Sequence, residues 1–216
     1  MPPTEAPFVQ RIGYEATNFK IVVRFHYGVP IKRKEEKFME EKYERFRDGI
    51  FALHTRRFGT VAEIMVKKLY GLDESGSLAY DKAEGDKRVE VKFSTVLREN
   101  DSTINEGNVL DQIDKANFAN RAMNSTDSGK FDSNIQQIKR AEFDKLYYGL
   151  FFADQVEVYE MDMDEVGNAP GYSNKQHRGN EGEGQFHLNP KTIDYHRQNH
   201  LKDTLTYEEL YDLLEK

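Results

Sequence analysis

Asp81, Glu90 and Lys92 are the residues of this 216-residue chain whose types and spacing best suit catalysis. Alternate residues of a β-strand point to one face, so Glu90 and Lys92 project together if their segment is extended. If Asp81 lies on the preceding strand of a hairpin, its carboxylate meets that of Glu90 across the strand pair. Two carboxylates and one ammonium group would then converge on one point.

This set of groups suits the hydrolysis of a phosphodiester bond. Mg²⁺ prefers oxygen ligands and is commonly held by one or two carboxylates together with a substrate phosphate. The ion lowers the pKa of a bound water and neutralises charge on the phosphate, and a neighbouring lysine stabilises the transition state. We expect Asp81, Glu90 and the backbone carbonyl of Val91 to be the metal ligands. The alternative is a common one, an ion pair of Glu90 with Lys92 on a solvated strand.

The spacing of Asp81 and Glu90-Val91-Lys92, with nine residues from the aspartate to the glutamate, resembles the PD-(D/E)XK nuclease superfamily, which includes many type II restriction endonucleases. Residues 58–63 look like the helix that precedes the hairpin in that superfamily, and Glu63 would then be a further catalytic acid. The alternative for Glu63 is an exposed helix position. The likeness covers about residues 58–161, and Tyr80 stands where the family has its name-giving proline.

The resemblance implies an α/β fold with a restriction-endonuclease-like mixed central sheet flanked by helices, in a single domain over residues 1–216. It implies a Mg²⁺-dependent type II restriction endonuclease that cuts double-stranded DNA at a short site. A palindromic site would require a homodimer. The alternatives are another nuclease of this fold (from a phage, or for repair or junction resolution) and a non-catalytic DNA-binding module. The intact set of Asp81, Glu90 and Lys92 argues against the module.

Side chains that suit contacts with bases and phosphates fall in three clusters. The candidates are Lys32, Arg33 and Lys34; then Asn124 and Lys130; and then Asn174, Lys175, Gln176, His177 and Arg178. The last two clusters lie in the possible recognition insertions 98–134 and 164–189. Each cluster taken alone is also typical of a solvated surface. Gln112 and Gln137 either contact DNA or serve the structure.

Composition narrows the class of protein. Hydrophobic residues make up 38% and charged residues 32%, and no apolar run is long enough to span a bilayer. The absence of cysteine excludes disulfides, thiolate zinc sites and cysteine nucleophiles. We expect a cytoplasmic protein of a prokaryote or a phage. The net charge of −7 disfavours a DNA partner, although a local basic lining decides DNA contact.

His196 and His200 have the i, i+4 spacing of metal ligands on a helix. No glutamate follows His196, since the next residue is Arg197. The alternative to a metal site is a pair of surface histidines, which the sequence favours.

Hydrophobic spacing and turn residues predict the elements that position the site. Helices are predicted over Lys34–Arg57, over Val61–Tyr70 after a break at Gly59-Thr60, within Val109–Met123 and over Tyr207–Leu214, the last capped by Thr206 and Glu209. Strands are predicted over Ile21–Phe25, Leu78–Ala83, Arg88–Ser94, Leu146–Phe152, Val156–Met161 and Gln185–Leu188. The strands that end at Ala83 and begin at Arg88 form the hairpin that carries the candidate site. A long surface loop is predicted over Asp164–Asn189, around its one short strand.

Overall fold

A computed structural model describes residues 31–175 and 182–216, with side chains from Phe38 onward in the first range. Of the described residues, 42–175 and 182–216 belong to one compact unit, and 31–41 belong to another. The helices are α1 (Ile31–Phe51), α2 (Thr55–Tyr70), α3 (Val109–Asp114), α4 (Met163–Val166), α5 (Ile193–Asn199) and α6 (Tyr207–Glu215). The strands are β1 (Asp73–Glu74), β2 (Lys82–Glu84), β3 (Lys87–Thr95), β4 (Ser133–Ile138), β5 (Lys145–Phe151), β6 (Gln155–Asp162), β7 (Gly184–Leu188) and β8 (Leu201–Thr206). The strand predicted over Ile21–Phe25 lies outside the described residues.

The larger sheet of the compact unit is mixed, with strand order β1-β2-β3-β5-β6-β8. β3 and β5 run parallel, and the other neighbours pair antiparallel. Every residue of β5 is buried, as expected of a central strand that is covered on both faces, and the strand predicted over Leu146–Phe152 is confirmed. The predicted α/β class with a mixed central sheet flanked by helices is therefore confirmed. That residues 1–216 form a single domain stays a prediction.

Two apolar clusters cover the two faces of this sheet. On one face α2 and α6 pack, with Met65, Val66 and Tyr147 fully buried or nearly so. On the other face the small sheet of β4 and β7 packs, with Phe186 against Tyr148. No helix in the described part of the chain is long and apolar enough to cross a membrane.

The break between the first two helices lies earlier than predicted. α1 ends at Phe51 and α2 begins at Thr55, so Gly59 and Thr60 lie inside a helix. The Thr60 hydroxyl does not cap; it donates to the carbonyl of Arg56, one turn back. Burial of Phe58 on this turn offsets the cost of about 1 kcal/mol for a glycine within a helix. The predicted end is confirmed, since Gly71 is left-handed, with φ of 65°.

Three other predicted elements differ from the structure. The strand predicted over Leu78–Ala83 begins only at Lys82, because residues 76–81 form bends and Leu78 is fully exposed. The helix predicted within Val109–Met123 ends at Asp114, and a separate 3₁₀ turn follows over Phe118–Arg121. The region predicted as a loop from Asp164 begins with the short helix α4, whose capping box is formed by Asp162 and Glu165. The hairpin of β2 and β3, β6, β7 and the capped α6 are confirmed.

A buried ion pair joins α5 to β6. Glu157 is 3% exposed, and both of its carboxylate oxygens accept from Arg197, at 2.8 Å from Nη2 and 3.0 Å from Nε. The hydroxyl of Tyr159 also donates to Glu157. Charged groups this deep in a fold persist because their partners satisfy them.

Candidate active site

The hairpin of β2 and β3 places the candidate catalytic residues at the end of a short strand pair. Gly85 has a φ of 59° in the two-residue turn, where a left-handed conformation favours glycine. Pairing between the strands ends at Lys82 and Val89. Asp81 precedes β2, so the prediction that it lies on the strand is wrong by one residue. Its N–H still donates to the Val89 carbonyl at 3.0 Å, and this bond fixes its place beside β3.

The side chain of Asp81 takes the place of a strand partner for β3. Its Oδ2 accepts from the backbone N–H of Val91 at 2.9 Å. In a strand, the N–H and C=O of one residue point to the same side, so the Val91 carbonyl also points toward Asp81. Two of the three predicted metal ligands are therefore neighbours at an open edge of the sheet.

Glu90 and Lys92 lie next to each other on β3, as their alternation predicts. Nζ of Lys92 lies 2.5 Å from Oε1 of Glu90, and Glu90 is only 8% exposed. Burial, together with the negative charge of Asp81, raises the pKa of Glu90 to about 7, against the opposing effect of Lys92. Burial disfavours the charged form of Lys92, but Glu90, Asp81 and Glu63 outweigh it and raise the Lys92 pKa.

Helix α2 brings Glu63 into the same group of charges. Burial and the negative charge of Asp81 raise the pKa of the Glu63 carboxyl. Its Oε2 lies 3.8 Å from Nζ of Lys82. Glu63 is half-buried rather than exposed, and it acts electrostatically on both Asp81 and Lys92. The structure thus brings together all four predicted catalytic residues, from α2, the residue before β2, and β3.

Lys82 is a residue of this cluster that the sequence did not single out. It is buried, and its ammonium lies 2.8 Å from Glu74 as well as near Glu63. Its position next to Asp81, a candidate metal ligand, was the feature of the sequence that could have identified it as a member of the cluster. Its hydrogen bond goes to Glu74, and its positive charge, 3.8 Å from Glu63, partly offsets the rise in the pKa of the Glu63 carboxyl.

The residues present fit a divalent cation by charge and by donor type. The carboxylate of Asp81 lies near those of Glu63 and Glu90, and its negative charge adds to burial in raising the pKa of both. A dication would relieve this repulsion, and carboxylate and carbonyl oxygens are what Mg²⁺ prefers. Within residues 31–175 and 182–216, no three acidic or histidine side chains are already arranged around one metal position. The predicted ligand set needs only two such side chains, with Val91 supplying a backbone oxygen.

The predicted DNA contacts are spread over several parts of the chain. Asn174 and Lys175 are exposed and line a cavity with Arg140. Asn124 and Lys130 are exposed, and Asn124 lies in a turn closed by Asp127. The side chains of Lys32, Arg33 and Lys34 and the whole of Gln176, His177 and Arg178 lie outside what the structure describes.

Several polar residues that the sequence left open have structural roles. Gln112 is buried and accepts from Asn100 at 3.0 Å. Gln137 is exposed and has a φ of 59°, at an irregularity in the pairing of β4 with β7. The prediction that His196 lies on the surface is wrong: it is fully buried, its Nδ1 lies 2.8 Å from the Tyr148 hydroxyl, and burial and His200 lower its pKa to about 4. The bond to Tyr148 and the stacking on Phe186 make it a core residue.

Asp144, part of the segment that resembles the nuclease superfamily, joins the two parallel strands. Its carboxylate accepts from Nε and Nη2 of Arg88, and its backbone N–H donates to the Arg88 carbonyl. The pair fixes the start of β5 beside the start of β3, the strand that carries Glu90 and Lys92.

In comparisons with known proteins, no family model and no curated protein matches the chain.

Proposed function

We propose that the chain is a Mg²⁺-dependent endonuclease that hydrolyses phosphodiester bonds in double-stranded DNA, of the type II restriction class within the PD-(D/E)XK superfamily. The observation that carries the proposal is the convergence of Asp81, Glu90 and Lys92 at the open edge of β3, with Glu63 beside them. A homodimer cutting both strands of a palindromic site, in the cytoplasm of a prokaryote or of a phage host, belongs to the same proposal.

The residues have distinct parts in this chemistry. Asp81, Glu90 and the Val91 carbonyl would hold the magnesium ion, which supplies a polarised water and positive charge at the phosphate when bound. Lys92, with its raised pKa, stays an ammonium at neutral pH and donates a proton in hydrogen bonding rather than accepting one. Its charge stabilises negative charge that develops on the phosphate oxygens. Glu63, 3.8 Å from Lys82, adds a third carboxylate to the cluster.

The proposal is tested by incubating the protein with long mixed-sequence duplex DNA, in Mg²⁺ or in EDTA. Discrete fragments that appear only with Mg²⁺ are the expected result, and sequencing their ends gives the site. A smear would point to one of the less specific nucleases of the same superfamily. Binding without cleavage in any divalent metal would overturn the catalytic proposal in favour of a DNA-binding module.

The raised pKa of Glu90 predicts a pH-dependent stability of the metal-free protein. With a folded pKa of about 7 and an unfolded value near 4.3, the folded state binds this proton more tightly. The contribution of the Glu90 proton to the free energy of unfolding is therefore complete below about pH 4 and is lost as the pH rises through 7. Relative to Glu90→Gln, we expect the free energy of unfolding of the wild type to fall by about 3 kcal/mol between pH 4 and pH 8.

Urea unfolding of both proteins in EDTA, at a series of pH values, measures this difference. Glu106→Gln is the matched control: this glutamate is exposed and lies outside the carboxylate cluster, so no comparable divergence from wild type is expected. At pH 8, added Mg²⁺ should restore stability to the wild type but not to Glu90→Gln. If the free energy of unfolding changed with pH in parallel for wild type and Glu90→Gln, the pKa of Glu90 would not be raised in the folded protein and the prediction would be wrong.

A further inference from the structure

Arg140 lines a surface cavity of about 850 Å³ that lies outside the carboxylate cluster. The residue sits in the turn between β4 and β5. Across the cavity lie Tyr172, Asn174 and Lys175, from the chain that leads toward β7, and Met163 at the start of α4. The cavity therefore combines two positive side chains, one amide and an apolar wall.

Two glycines provide the space that Arg140 and Tyr172 occupy. A Cβ at Gly167 would lie 2.7 Å from Nη1 of Arg140, and one at Gly184 would lie 2.5 Å from the hydroxyl oxygen of Tyr172. The guanidinium thus packs against backbone, with its carbon 5.8 Å from the centroid of the Tyr172 ring. Packing of this kind fixes the direction of the charged group and reduces the entropy lost when it binds an anion.

Within the part of the chain that the structure describes, Nε of Arg140 is buried and has no hydrogen-bond partner. Buried donors are normally satisfied, so such a group is a candidate for an external acceptor. A guanidinium presents parallel N–H donors that match the oxygens of a phosphate. Lys175 at the rim adds a second positive charge. The chemistry of the cavity selects an anion with several oxygens.

The turn after β4 connects this cavity to the candidate active site. Ala141 also lines the cavity, and its carbonyl accepts from Nη1 of Arg88 at 3.0 Å. Arg88 lies two residues before Glu90 on β3. The carboxylate of Glu142, the next residue along the turn, acts electrostatically on Glu90. The turn that carries Arg140 therefore also contacts the strand that carries Glu90.

We propose that this cavity binds a backbone phosphate of the DNA strand that occupies the active site, through Arg140 and Lys175. The inference rests on the proposed function, since the phosphate belongs to the same duplex. A second phosphate held on this side of the carboxylates fixes the direction of the strand and places the scissile phosphate at Glu90. The sugar adjoining the bound phosphate then packs on Tyr172 and Met163.

The test measures binding of a labelled duplex by fluorescence anisotropy in EDTA, which removes cleavage from the readout. Arg140→Gln is expected to raise the Kd about tenfold and to reduce the slope of log K against log salt by about one. Lys175→Gln, at the exposed rim, should lower the slope as well, and Arg140→Lys should retain it. Arg45→Gln is the matched control, because it removes the same charge from an exposed position on α1.

Melting curves verify that each variant folds. The same curves are recorded with increasing inorganic phosphate, which distinguishes binding of free phosphate from binding of a DNA backbone phosphate. Wild-type affinity and slope in both Arg140→Gln and Lys175→Gln would overturn the inference. If the wild type bound duplex but cleaved nothing, the catalytic proposal would fail. The phosphate site would then be judged separately, by the loss of salt slope in Arg140→Gln and Lys175→Gln. If the wild type bound no duplex, this inference would fail too, and stabilisation by inorganic phosphate that Arg140→Gln abolishes would assign the cavity to a free phosphate ligand.

Discussion

Lys92→Met is expected to lower the rate of DNA cleavage at saturating substrate by at least about a hundredfold. Methionine keeps most of the volume of the lysine stem and removes the charge that faces Glu90, 2.5 Å away. The lost charge acts on the transition state, so the Kd for DNA should change little and kcat should fall. Single-turnover cleavage of a duplex that carries the site, with Mg²⁺, measures the effect.

Lys87→Met is the matched control, since Lys87 begins the same strand, is more than half exposed and has only a 3.9 Å contact with Asp162. Its cleavage rate should equal that of the wild type. A pH series separates two roles for Lys92, because its charge also lowers the pKa of Glu90. If Lys92→Met regains wild-type rates at pH 9, the lysine serves only to keep Glu90 ionised, and the proposed direct stabilisation of the phosphate is wrong.

Arg197→Met is expected to lower the free energy of unfolding by about 3–5 kcal/mol, because it leaves the carboxylate of Glu157 buried without its counter-charge. Glu157 keeps only its bonds to Tyr159 and Gln155. Urea denaturation at pH 7 measures the loss. The double variant Glu157→Gln with Arg197→Met should recover much of it, since no charge is then left in the core.

Lys202→Met is the comparison for that experiment. Lys202 lies 2.8 Å from Glu160, but it is about two-fifths exposed, and such pairs contribute about 1 kcal/mol or less. A loss for Arg197→Met no larger than for Lys202→Met would mean that water reaches Glu157 and that its burial is overstated.

The part of the molecule that sequence predicted best is the hairpin and its neighbours. Alternation of Val89, Val91 and Phe93 with polar residues, and a glycine in the turn, determine β3 locally. The apolar run of β5 likewise needs no knowledge of its partners. Because Asp81, Glu90 and Lys92 lie on or beside these strands, local pattern alone predicts that they converge. The place of Glu63 on α2 followed only from the resemblance to the nuclease superfamily.

Elements that depend on distant contacts escaped prediction. β8 (Leu201–Thr206) is mostly exposed and polar, and it is a strand only because it pairs with the edge of β6. α2 continues through Gly59 because Phe58 is buried, which a local glycine rule cannot anticipate. The cavity at Arg140 combines residues from the β4–β5 turn and from the chain before β7, so no local pattern could reveal it.

The bond from Val91 N–H to Asp81 closes the sheet edge with a side chain instead of a strand. A carboxylate can rotate away at the cost of one hydrogen bond, whereas a paired strand separates cooperatively. Solvent exchange of the Val91 amide is therefore a local opening event, decoupled from global unfolding, while amides between β3 and β5 exchange only with larger openings. The backbone at the metal-binding candidates is the part of β3 most able to adjust its position without disturbing the core.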